Sequence, residues 1–213
     1  EFSKHLCFIF VLMDKSAYKI NIIGAGVSGL IAAQVLENHG YQPQIIEATD
    51  RVGGRVKSDH YNGFVLDHGF QVLLEAYPVA KKYLDYEQLE LQKLLPGALL
   101  FHDGKAQVIG DPLRNVSFLF PTLFSSVGSI SDKLNIFKLN RLLKKKSIAE
   151  IFAAEEKSTL EYLREFGFSE RMIQQFFTPF FSGIFLETEL ATSSRMFEFV
   201  YKMFGEGLAV IPK

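Results

Sequence analysis

From Tyr18 to Ile23 polar and apolar positions alternate and then run apolar, the pattern of a strand entering a buried parallel sheet. Gly24-Ala25-Gly26-Val27-Ser28-Gly29 follows at once. A helical stretch over 30–39 comes next, with apolar residues at Leu30, Ile31, Ala33, Val35 and Leu36, closed by Gly40. A second strand over 44–46 ends at Glu47, so strand, glycine turn, helix, strand and acid occupy 30 residues. Two hairpins with the favoured two-residue turn are then expected, 58–61 with 64–67 around Asn62-Gly63 and 99–102 with 105–109 around Asp103-Gly104. Beyond them the period becomes helical. Ser131-Asp132 is expected to cap a helix over 133–143, and Ser158 with Glu161 to form a capping box before a short helix ending at Gly167. Ser169 is expected to cap a helix through Phe177 that Pro179 blocks, and Ser193 or Ser194 to start another that reaches Gly205. The fold class is α/β.

Each part of the first unit has a physical task. Gly24 permits a tight turn out of the strand, Gly26 lets backbone approach a pyrophosphate, and Gly29 lets the helix pack closely on the strand. Free N–H groups at the helix start, helped by the helix dipole, attract phosphate. Glu47 lies 23 residues after Gly24, where a carboxylate accepts hydrogen bonds from both ribose hydroxyls of an adenosine and repels a 2′-phosphate. This predicts a Rossmann-like dinucleotide site for the unphosphorylated adenosine of FAD or NAD, against a chance glycine turn. Gly53 and Gly54 stand between Arg51 and Arg55, a pattern that suits phosphate binding and equally a solvated turn.

Composition narrows the rest. The 213 residues are 48% hydrophobic and 22% charged with a net charge of −1, a globular composition without a basic face for nucleic acid. One cysteine, Cys7, excludes an internal disulfide framework, no Cys/His cluster has metal-ligand spacing, and a reducing, cytoplasmic setting is expected. Leu6 to Leu12 is apolar throughout but far short of the roughly 20 residues of a membrane-spanning helix. Residues 1–16 are therefore read as a non-native or disordered extension. The run Lys144-Lys145-Lys146 is read as solvated lysines at a helix C-terminus ahead of a lipid-binding patch. Of 21 Phe, 15 fall between Phe118 and Phe204. Phe176, Phe177, Phe180, Phe181 and Phe185 are read as core, with a cavity for a lipophilic substrate as the alternative. His60, His68 and His102 each stand alone and are read as structural.

The segment 24–30, Glu47 and Arg51-Val52-Gly53-Gly54-Arg55 together resemble the FAD-binding signature of the flavin amine oxidase superfamily, which includes monoamine oxidases, protoporphyrinogen oxidases and phytoene desaturases. Asp67-His68-Gly69-Phe70-Gln71 is similar to a segment of its desaturase-like members, and so, more loosely, is 178–185. The resemblance implies FAD. Gly24, Ala25, Gly26, Val27, Ser28 and Gly29 would surround its pyrophosphate, and Glu47, with Ala48 beside it, would meet the adenosine ribose. Arg51, Gly53, Gly54 and Arg55 would lie along the pyrophosphate toward the flavin, and Gly69, Phe70 and Gln71 near the isoalloxazine ring. The function implied is dehydrogenation of an apolar or amine substrate by hydride transfer to flavin. No catalytic residue is named, because the flavin itself accepts the hydride. An NAD-dependent dehydrogenase and a non-catalytic or fragmentary dinucleotide-binding protein are the alternatives. Residues 17–75 would be the amino-terminal FAD-binding part and 76–213 a mixed, then helical, incomplete substrate or cap domain. Superfamily members are about twice as long, so a truncated chain is expected, one that alone binds FAD weakly or aggregates. Its partner is expected to be a small molecule, with a membrane surface left open.

Overall fold

A computed structural model describes residues 15–69, 72–102, 104–110, 115, 117, 125 and 127–213. The chain divides into two compact units, 1–71 and 72–213. In the first, β1 (Ile20–Ile23) and β2 (Pro43–Ile46) pair in parallel from Ile20↔Pro43 to Ile23↔Ile46, joined through α1 (Val27–Asn38). Gly40, at φ +82°, closes α1 and donates its N–H to Glu37 O at 2.8 Å. A 3₁₀ turn, Lys15–Ala17, precedes β1, and Lys15 Nζ donates to His39 O at 2.7 Å. Lys15, inside the stretch read as an extension, is thus tied to the end of α1, where a cation complements the free carbonyls. β3 (Ser58–Tyr61) and β4 (Phe64–Asp67) form the expected hairpin, with Asn62 and Gly63 at φ +49° and +83° in the turn.

In the second unit β5 (Leu73–Leu74) and β6 (Gln92–Lys93), with α2 (Pro78–Tyr83) between them in the chain, both pair antiparallel with β9 (Ala209–Ile211). Residues 73–75 pair within this unit: Leu73 pairs with Val210 and Glu75 N–H bonds Leu208 O at 3.0 Å. β7 (Gly97–His102) and β8 (Lys105–Gly110) make the second hairpin, with Gly104 at φ +71° in its turn and Asp103 outside the described residues. The helices are α3 (Ile130–Lys145), α4 (Ile148–Ala153), α5 (Thr159–Phe166), α6 (Glu170–Met172), α7 (Thr178–Phe185) and α8 (Ser194–Glu206).

Of the helix boundaries that differ from expectation, two do so for evident local reasons. The cap of α3 is Ser129, whose Oγ accepts the Asp132 N–H at 3.1 Å while Asp132 accepts the Ser129 N–H at 2.6 Å, a capping box closed by Asp rather than Glu. Pro179 does not end its helix. A π turn, Ile173–Phe177, precedes it, and Thr178 N–H reaches back five residues to Ile173 O. The residue whose N–H is missing thus falls in the first turn of α7, where no intrahelical partner is needed.

The core lies in this helical unit. Phe177, Phe181, Phe197, Leu139, Leu143 and Leu163 are completely buried, and the Phe181 and Phe197 rings sit 4.8 Å apart. Each such side chain contributes about 1.5–3 kcal/mol by leaving water. Phe177 and Phe181 are thus core, with Phe176, Phe180 and Phe185 partly buried against them. Asp132 and Glu198 are buried in this unit, and Asp132 also accepts the N–H and hydroxyl of Ser169, each at 2.7 Å. Burial pushes its pKa up, but the bonds from Ser129 and Ser169 outweigh that and hold it below the usual carboxylate range.

Candidate functional site

The candidate site is the turn between β1 and α1. Gly24 takes φ +95°, which favours glycine, and donates its N–H to Ile46 O at 2.7 Å. A Cβ on Gly29 would stand 2.0 Å from Gly24 O, so only glycine lets α1 start this close to the turn. At Gly24 and Gly26 a Cβ would meet nothing within 4 Å, so backbone is open to a ligand on that side. Gly26 is the N-cap of α1, no side chain caps it, and no acid occupies the first turn, which holds Val27, Ser28 and Gly29. The amino end of α1 is thus left to an anion.

Glu47 turns into this nest. Its Oε2 accepts the Ala25 N–H at 2.7 Å, and its Oε1 accepts the N–H and hydroxyl of Thr49 at 2.9 and 2.8 Å. The Ala25 bond first, then the two from Thr49, lower its pKa from 4.5 to about 2, so it is ionised at neutral pH. Three of the roughly four acceptor positions of a carboxylate are occupied. Oε2, with one bond, is the oxygen with room for a sugar hydroxyl, a narrower role than acceptance by the whole carboxylate. Ala48 is exposed next to it.

The Gly53-Gly54 pair folds back on the same turn. Gly53 N–H donates to Ala25 O at 2.8 Å, and a Cβ on Gly54 would stand 3.2 Å from Gly26 Cα. The flanking arginines part ways. Arg51 pairs with Asp59 and donates to Ser58 O at 3.0 Å, while the other Asp59 oxygen meets His68 Nε2 at 2.7 Å. His68, more than Arg51, holds Asp59 below the ordinary aspartate range. Arg51 and His68 are therefore tied into the β3–β4 hairpin. Arg55 is exposed, and its guanidinium has no partner among the described residues. Gly69 packs on the Arg55 backbone, where a Cβ would lie 2.7 Å from Arg55 O. Phe70 and Gln71 lie outside the described residues.

The structure adds Thr49, Lys57 and Asp59 to the site. Thr49 holds Glu47, Lys57 Nζ reaches Thr49 Oγ1 at 3.3 Å, and Asp59 holds Arg51. The spacing Glu47-x-Thr49 carries no signal for this bond, since bonding to backbone two residues on is a habit of Ser, Thr, Asn and Asp rather than Glu. Open backbone, an uncapped helix start, an ionised carboxylate and a free guanidinium together fit the pyrophosphate and ribose of a dinucleotide. A cavity of about 350 Å³ lies in the helical unit. Of the charges that line it, Glu198 takes Lys146 and the Tyr162 hydroxyl and Lys157 takes Glu165, while Arg195 Nε is buried without a hydrogen-bond partner among the described residues. No group of three or more potential metal ligands occurs among the described residues.

Residues 27–213 match the family of flavin containing amine oxidoreductases. Protoporphyrinogen oxidase 2 of Arabidopsis thaliana is 31% identical over 170 residues, which are 79% of this chain and 32% of that protein. An L-amino-acid oxidase of Bothrops moojeni is 38% identical over 122 residues, 54% of this chain and 24% of that protein. The chain thus spans about a third or less of the length of these curated relatives. Among solved structures, wild-type putrescine oxidase bound to putrescine superposes with a TM-score of 0.60 at 18% identity, over 91% of this chain and 45% of that one. An oxidoreductase from Methanosarcina mazei gives 0.58 at 21% identity, over 92% and 46%. At these identities the superpositions show a shared fold, and with the family match they bear out the resemblance read from residues 24–55.

Proposed function

This chain belongs to the flavin containing amine oxidoreductase family, and we propose that it forms part of an FAD-dependent oxidoreductase that dehydrogenates an apolar or amine substrate. Bound FAD supplies the redox chemistry, accepting a hydride equivalent from a substrate C–H bond. The chain's own residues bind and orient. The first turn of α1 receives the pyrophosphate, Gly24 and Gly26 leave it room, and Arg55 offsets its charge. Glu47 orients the ribose through Oε2 while Oε1 stays on Thr49.

The observation that carries this reading is the closure of the glycine turn by Glu47, which pins the Ala25 N–H at 2.7 Å and leaves backbone open at Gly24 and Gly26. The substrate classes come from the relatives, whose names span a porphyrinogen, amino acids and a diamine. Anaerobic mixing of the whole FAD-loaded enzyme of which this chain forms part with a primary amine, an amino acid and an apolar polyene tests them. One class is expected to bleach the visible flavin band. A band that stays oxidised with all three would overturn the proposal.

A further inference from the structure

A feature outside the cofactor site points beyond the proposed oxidation. α3 buries Asp132, Asn135, Leu139 and Leu143 on its inward face. Its outward face should then be polar, as on an ordinary surface helix. Instead Ile130, Leu134 and Phe137 follow one another at i, i+4 and i+7 and are 77%, 58% and 56% exposed, with Leu142 at 46%. Lys138, Arg141, Lys144 and Lys145 are exposed between and beyond them toward the C-terminal end. The acid of this helix, Asp132, is buried and fully bonded, so its outward surface carries cations and apolar groups without a carboxylate. Arg141, Lys144 and Lys145 have no ion-pair partner among the described residues.

We infer that the outward face of α3 docks on the surface of an anionic lipid bilayer. Large apolar side chains flanked by lysine and arginine on one exposed face are what an interfacial helix presents: the apolar groups enter the headgroup boundary and the cations meet lipid phosphates. Charge complementarity selects this occupant. Arg141, Lys144 and Lys145, with no carboxylate beside them on this face, are attracted to an anionic leaflet. α3 lies on the membrane and does not span it, since no described helix is long and apolar enough to cross. The inference is independent of the proposed oxidation.

Co-sedimentation of the full chain with vesicles of phosphatidylcholine alone, or of phosphatidylcholine with phosphatidylserine, tests it. The chain is expected to pellet with the anionic vesicles and to be released by high salt. Replacing Arg141, Lys144 and Lys145 together by Ala should weaken binding by roughly fivefold per cation removed. Phe137→Glu should weaken it by about tenfold or more, because a charge replaces an inserted ring. Both changes lie at exposed positions, so melting curves should stay unchanged, and if Phe137→Glu did perturb the fold the cation variant would still decide. Equal binding to both vesicle types, binding unaffected by the cation variant, or a solution dimer that Phe137→Glu dissociates would each overturn the inference.

Discussion

In the glycine-turn unit the buried apolar side chains among the described residues are Ala25 and Ala33, whereas the helical unit buries Phe177, Phe181 and Phe197 completely. The turn takes its shape from backbone: Gly24 bonds Ile46, Gly53 bonds Ala25, and Glu47 bonds Ala25. The helical unit takes its shape from volume, as rings and aliphatic chains fill one cluster. Backbone geometry tolerates little change in glycine but much in side-chain size around it. A packed core behaves the opposite way. The proposed cofactor site belongs to the first kind of structure, where small local changes should alter binding before they alter folding.

The largest effect expected is therefore away from the cofactor. Phe177→Ala should cost about 3–5 kcal/mol, read by chemical denaturation, because it leaves a cavity among rings with no room to close. Gly29→Ala should cost about 1–3 kcal/mol, since its Cβ would collide with Gly24 O and push α1 off the turn. FAD affinity should fall with it. The same Ala substitution at Gly205, where a Cβ meets nothing within 4 Å, should leave FAD binding unchanged.

What was legible in the sequence follows the same division. Gly24 at φ +95° and Asn62-Gly63 at positive φ are local requirements, satisfied by residues that stand next to one another. Strand, turn, helix, acid and hairpin could all be read from them. The role of Asp132 could not, because it is completed by Ser169, 37 residues away. In the sequence Arg51 and Arg55 look equivalent, because both flank the glycine pair. They separate only once the β3–β4 register puts Asp59 within reach of Arg51 and His68. The lysine run at the end of α3 was visible, but which apolar residues share its outward face depends on which face packs inward.

Two smaller effects sharpen the contrast. Folding lowers the pKa of Glu47 from 4.5 to about 2, so its bonds stabilise the turn fully above pH 4.5 and are lost as pH falls toward 2. Glu47→Gln should remove that part of the acid sensitivity, seen as a flatter dependence of melting temperature on pH over this window. The smallest effect is expected at the arginines. Arg51→Met removes an exposed ion pair and should cost at most about 1 kcal/mol. Arg55→Met should leave stability alone and weaken FAD binding, measured by fluorescence titration, more than Arg51→Met does.

The most direct measurement is FAD titration of Gly26→Val. Gly26 has φ −73°, which valine accepts, and its Cβ position is free of protein atoms, so the variant should fold with little loss. The added side chain would occupy the space assigned to the pyrophosphate. Hydrogen bonds to a charged group contribute roughly 1.5–3 kcal/mol each, so displacing two should weaken FAD by about a hundredfold or more. A folded Gly26→Val that binds FAD as tightly as the wild type would contradict the assignment of this turn to the cofactor.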